Sequence, residues 1–205
     1  MDMKWDSAVH SLFVVGLSLA ACSEPRQDGF EARMYAVDEV PESLESEMEN
    51  ANGAIQALQA ALLEALTSEL GREGALAAIH VCRDQAQVIT AQIAREQGID
   101  VGRTSHRLRN PANRPRPWVE PFVSEGAEKN YDAVQPRLVD LGERVGVVRP
   151  IGTLEMCTQC HGNEDEILPE VREAIAAAYP EDRATGFEVG DLRGWIWAEA
   201  PKSEN

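Results

Sequence analysis

Basic charge, long apolar runs and paired metal-ligating residues are all scarce in this sequence. Lysine and arginine number 19 against 35 aspartates and glutamates, for a formal net charge of −16. A chain this acidic repels phosphates, and no basic stripe interleaved with aromatics offsets the repulsion, so nucleic acid is excluded as a partner. No apolar run approaches the roughly 20 residues that a membrane-spanning helix needs. The four cysteines and four histidines include no second Cys/His pair at knuckle spacing, which argues against a four-ligand zinc site. There is no internal repeat, and no alternating strand–helix–strand run supports a parallel sheet.

What remains is a globular composition, 43% apolar and 26% charged over 205 residues, enough for one domain and a tail. The run "LFVVGLSLAA" at residues 12–21 ends in small residues and is followed by Cys22. A short apolar stretch of this kind reads as the core of an export signal. "LAAC" also resembles the lipobox of bacterial lipoproteins, which implies cleavage before Cys22 and a lipid on its sulfur. The expectation is a signal peptide over 1–21 and anchoring at the periplasmic face of a bacterial membrane. The start "MDMKWD" departs from that pattern, because Lys4 is outnumbered by Asp2 and Asp6. Residues 22–49 are acidic and weakly periodic and read as a tether, and residues 50–200 as the folded domain.

Within the domain, Ile55, Leu58, Leu62, Leu66 and Leu70 recur at helical spacing, and "GREG" then interrupts. Ala75, Ile79, Cys82, Ala86, Ile89 and Ile93 mark a second helix over 75–97, closed by Gly98. Thr104, His106 and Leu108 alternate with Arg103, Arg107 and Arg109, the pattern of a strand running to Pro111. "RVGVVRPIG" also reads as a strand, and "LPEVREAIAAA" as a helix with proline near its start. In "LRGWIWA" the alternation of Leu192, Gly194, Ile196 and Ala198 with Arg193, Trp195 and Trp197 predicts a strand exposed on one side. The fold class is α+β, with long N-terminal helices followed by an antiparallel sheet.

The chemistry concentrates in "EMCTQCHG", where Cys157, Cys160 and His161 fall at positions i, i+3 and i+4. Those positions share one helix face. Two cysteines can therefore reach the two vinyl groups of one porphyrin while the histidine ring turns under the iron, and Cys-x-x-Cys-His is the attachment signature of haem c. A thiol–disulfide oxidoreductase uses the same cysteine spacing, but at the start of a helix in a strand–helix–strand context. Export agrees with the haem reading, because bacterial haem c is attached outside the cytoplasm. The second axial position is open to His10, His80, His106, a methionine, Cys82 or nothing. His10 leaves with the signal peptide, and His80 points away from the apolar stripe that carries Cys82.

The ordered motifs "AIHVCRDQA", "GIDVGRTSHRLRNPANRP", "WVE" and "MCTQCHG" resemble a bacterial family of haem c-binding domains with a PAS-like fold, typified by a cyanobacterial c-type cytochrome. The likeness spans roughly residues 50 to 200. It implies one covalent haem c on Cys157 and Cys160, and iron held by His161 and by the thiolate of Cys82. It also suggests Arg103, Arg107 and Arg109 as counter-ions for the haem propionates. A redox or small-ligand sensing or binding module follows, with an electron carrier as the alternative and an enzyme ranked last. A redox or signalling partner protein is expected, with membrane contact only through Cys22.

Overall fold

A computed structural model describes residues 32–127 and 129–203. Cys22, His10 and the signal-like run lie outside the described residues. The chain enters through strand β1 (Arg33–Ala36) and then forms the long helix α1 (Glu45–His80). A five-residue π-helical turn, Val81–Gln85, joins it to α2 (Ala86–Gln97). Strand β2 (Asp100–Thr104), helix α3 (Glu120–Gly126), strands β3 (Arg137–Asp140) and β4 (Arg144–Gly152), and helices α4 (Glu155–His161) and α5 (Pro169–Ala178) follow. Strand β5 (Leu192–Pro201) closes the domain.

The five strands form one sheet in the order β1-β3-β4-β5-β2, and every pairing is antiparallel. This is the α+β architecture expected from the sequence, with one strand placed before the helices. Residues 33–36 pair with β3, and α1 starts at Glu45, so the folded domain begins inside the stretch read as a tether. That edge strand is only four residues long, too short to show a period.

Helix α1 lies on one face of the sheet. Ala51, Ala54, Ile55 and Leu58 pack with Val145, Val147, Ile196 and Ala198 in the main core, and the two alanines let the helix backbone approach closely. On the other face Val119 and Val123 pack against Val148, Trp195 and Trp197. Each face of β5 therefore meets a layer, and Trp195 and Trp197 are buried, contrary to the one-sided exposure its alternation suggests. A third cluster joins Ile79 at the end of α1 to Ile167, Val171 and Ile175 around α5.

Two local signals in the helical arm behave as the sequence dictates. The helix breaks within "GREG", where Gly74 has φ 81° and non-helical backbone, and α2 ends on Gly98 with φ 64°, a left-handed cap that glycine adopts without strain. The segment from 75 to 97 is not one uninterrupted α-helix, however. The π turn places one wide turn around Cys82, a feature that often marks functional sites. Strand β2 ends at Thr104, so His106 and Leu108 belong to a loop, not to an extension of the strand.

Candidate functional site

Helix α4 carries Cys157, Cys160 and His161 on its seven residues. It ends at Gly162, where a Cβ would meet the Thr158 carbonyl oxygen at 2.6 Å, so only glycine fits directly behind the histidine. The carbonyls of His161 and Gly162 accept hydrogen bonds from the backbone N–H groups of Phe187 (2.9 Å) and Gly186 (2.7 Å). The last turn of a helix otherwise leaves such carbonyls without partners. The loop before β5 is thereby tied to α4.

The same loop orients the imidazole. His161 Nδ1 donates to the Ala184 carbonyl oxygen at 2.7 Å, which assigns the proton to Nδ1 and leaves the Nε2 lone pair free. Burial holds the ring's pKa well below the ordinary histidine value, with the charges of Arg193 and Arg109 adding to the effect. Phe187 stands edge-on to the ring at 6.4 Å. A neutral imidazole with a fixed tautomer is the form in which histidine binds a metal.

Arg109 and Asp182 support this arrangement from behind. They form an ion pair at 3.0 Å, with each side chain only 10% exposed. Arg109 Nη2 also donates to the carbonyl oxygens of Cys160 (2.6 Å) and Ala184 (3.2 Å), and Asp182 Oδ1 accepts the Ala184 N–H at 2.9 Å. One guanidinium thus connects the cysteine-bearing turn to the carbonyl that orients His161.

A cavity of about 270 Å³ opens beside α4, and its wall includes Cys157, Cys160, His161 and Cys82. The sequence reading that grouped these four residues corresponds to one place in the fold. Cys82 reaches it from the π turn and is half-buried. Burial pushes its thiol pKa up, while the positive charges of Arg103, Arg109 and Arg193 pull it down. Leu66, Leu70 and Ile79 supply apolar wall from α1, and Tyr179 closes the α5 side. Burial and the nearby Cys82 push the Tyr179 phenol up to about 12.

The other axial candidates fall elsewhere. His80 is exposed on the helix surface beside Arg83 and Asp84. His106 packs edge-on against Phe187 (5.7 Å) and Trp195 (6.2 Å) and is not part of the cavity wall. Met156 does line the cavity, but from α4, the helix that already presents His161. Among the described residues no group of three or more His, Cys, Asp or Glu side chains converges as a metal site. Two features speak against a redox disulfide. The sheet is antiparallel throughout, and burial raises the Cys160 pKa, the reverse of what a reactive thiol needs.

The arginines sort differently from the expectation. Arg103 and Arg109 line the cavity, but Arg107 does not. Its Nη1 donates to the carbonyl oxygens of Thr185 and Gly186, and its guanidinium lies over the Phe187 ring at 4.7 Å. Arg193 takes its place in the wall, and burial lowers its pKa to about 10. Strand alternation hid this residue, because it assigned Arg193 to the outer face. The available signal was an arginine followed by glycine at the start of an otherwise apolar strand.

The donor set fits a covalently held haem: two thiols at attachment spacing, a neutral imidazole with a free Nε2, and a second sulfur, all on one cavity. The buried Nε atoms of Arg103 and Arg193 have no hydrogen-bond partner, as expected of a wall that faces an anionic group. No curated protein matches the chain. Its fold is similar to the crystal structure of the cyanobacterial heme-protein Tll0287, with a TM-score of 0.57 and 24% identity over 81% of this chain and 99% of that one. Residues 30–201, nearly all of the described segment, match the family model Tll0287-like, and the chain belongs to the Tll0287-like family.

Proposed function

We propose that this protein is a mono-haem c-type domain that senses a redox change or binds a small ligand. One observation carries the reading: Cys82 and the Cys157–Cys160–His161 group, distant in sequence, line the same cavity. The printed description of the similar solved protein as a heme-protein agrees with it. In this reading Cys157 and Cys160 would carry the thioether links, and His161 Nε2 and the Cys82 sulfur would hold the iron. A haem held in this way supplies a one-electron couple at its iron, and a thiolate ligand makes that iron electron-rich.

The residues of this chain do the remaining work. The Ala184 carbonyl keeps the proton on Nδ1 of His161, and Arg109 with Asp182 fixes the carbonyl. Leu66, Leu70 and Ile79 restrict water on the helical side. If His161 and Cys82 both held the iron, no position on it would be open to a substrate, which favours sensing or electron transfer over catalysis. Sensing is favoured by the π turn that carries Cys82, because a π turn is rare beside the ordinary α form and offers a second arrangement if the sulfur lets go. An electron carrier is the alternative and would keep both ligands in both oxidation states.

Export and lipidation of Cys22 belong to the same proposal and rest on the apolar run at residues 12–21 and on "LAAC". They place the domain at the periplasmic face of a bacterial membrane, within reach of a redox or signalling partner protein. The experiment is Cys82→Ser in protein made with the haem-c maturation machinery. A changed absorption and spin-resonance spectrum is expected, and an unchanged one contradicts thiolate ligation. Carbon monoxide added to the reduced wild type then separates the two roles: binding supports the sensor, and no binding supports the carrier.

A further inference from the structure

The cavity wall carries more positive charge than the protein itself balances. Arg103, Arg109 and Arg193 all line it. Arg109 is spoken for by Asp182 and two carbonyl oxygens. Among the described residues Arg103 makes no side-chain hydrogen bond, and Arg193 donates only to the Ser105 hydroxyl at 3.1 Å. Neither has a carboxylate partner there, and the Nε of each is buried without an acceptor. A buried unpaired charge is costly, so a fold retains one where a ligand supplies the opposite charge.

The backbone places Arg193 in the wall on purpose. Along the β4–β5 ladder Ile151 pairs with Gly194, and the next pair is Gly152 with Leu192, leaving Arg193 as the extra residue of a β-bulge. In a regular strand, neighbours face opposite sides. Here Arg193 and Gly194 both line the cavity, which is the re-aiming of a side chain that bulges produce beside functional sites. Gly194 beside it lets β2 come close, because a Cβ there would strike the Thr104 carbonyl oxygen.

Resting on the haem reading above, we propose that Arg103 and Arg193 form the binding site for the two carboxylates of the porphyrin. Two unbalanced guanidinium groups meet two propionates, and each can pair in the planar fork that arginine offers a carboxylate. Arg103 on β2 and Arg193 at the bulge of β5 would hold the carboxylates at that end of the cavity. Arg107, outside the cavity wall and bound to the Thr185 and Gly186 carbonyls, takes no part.

The test compares haem-loaded wild type with Arg103→Gln, Arg193→Gln, Arg193→Lys and Arg107→Gln, reading the midpoint potential and the propionate bending band in resonance Raman spectra. Loss of a cation beside the ring favours the oxidised form. Each glutamine variant at 103 or 193 is expected to shift the redox equilibrium about tenfold, or 59 mV lower for one electron, and to move the propionate band. Arg193→Lys keeps the charge and restores most of the potential but not the band, because the fork is gone. Arg107→Gln leaves the propionate band at its wild-type position. Wild-type potentials and bands in both Arg103→Gln and Arg193→Gln would overturn the proposal. If the glutamine variants do not load haem, a crystal structure of the loaded wild type decides. Carboxylate oxygens within about 3 Å of Arg103 and Arg193 nitrogens support the site, and carboxylates in solvent or on Arg107 overturn it. A wild type that takes up no haem fails at the earlier step and removes the haem reading itself.

Discussion

The two halves of the helical arm make an instructive pair. Near its start, α1 presses Ala51, Ala54, Ile55 and Leu58 onto the sheet, none more than 1% exposed. Further along, past Leu66 and Leu70 and through the π turn, the same arm turns Ile79 and Cys82 toward a cavity bounded by α4, Tyr179 and buried arginines. The first half is completed by protein atoms alone, with apolar surface meeting apolar surface. The second half has sulfur, imidazole and unpaired cations converging on space. Such a wall is expensive by itself and is stabilised by an occupant of matching chemistry. The difference separates the part of the sequence that makes the fold from the part that the fold exists to hold.

Substitutions around each half should therefore fail differently. The largest loss of stability is expected from Arg109→Gln, which leaves Asp182 as an unpaired buried charge and frees the carbonyls of Cys160 and Ala184. Breaking such a pair costs about 3–5 kcal/mol. Denaturant unfolding measures the loss, and the spectrum of the loaded protein should shift with it because His161 loses its fixed orientation. Leu58→Ala, in the closed half, should cost about 2–5 kcal/mol while leaving the spectrum of the folded protein unchanged. A spectral change in Leu58→Ala, or none in Arg109→Gln, would break the comparison.

The smallest expected effect concerns the entry to α1. The buried Glu47 carboxylate accepts the Ser203 N–H and hydroxyl, both at 3.0 Å, and the Ser46 hydroxyl at 2.9 Å. The Ser203 backbone bond leads in lowering its pKa from 4.5 to about 2. Because the folded pKa is the lower one, the stabilisation is full above pH 4.5 and is lost as pH falls toward 2. Thermal melting across that window should show a steeper acid-side decline in wild type than in Glu47→Gln. Equal slopes would mean the contact between the start of α1 and the C-terminal segment carries no such linkage.

How much of this was legible in the sequence follows from where each feature is determined. The break at "GREG", the Gly98 cap, β4 and α5 are set by local composition and periodicity, and all stand where the pattern put them. That Cys157, Cys160 and His161 share one helix was legible because a contiguous motif brings its own geometry. The strand β1 was not, since four residues paired only at an edge carry too little pattern. The second buried face of β5 depends on Val119 and Val123, remote in sequence. The π turn at Cys82 and the bulge at Arg193 each insert a residue into a regular repeat, and periodic reading assumes no insertion. Alternation accordingly sent Arg193 outward, while Arg107, which the family resemblance suggested beside the propionates, lies outside the cavity wall.

The central claim is that a single porphyrin is joined by thioether bonds to Cys157 and Cys160 in α4. The most direct measurement is denaturing electrophoresis of protein produced with the haem-c maturation machinery, stained for haem peroxidase activity, beside a Cys157→Ala/Cys160→Ala variant. The account predicts a haem-positive band in the wild type that resists acidified acetone and is missing from the variant. A colourless wild type, or pigment that acidified acetone extracts, would contradict it.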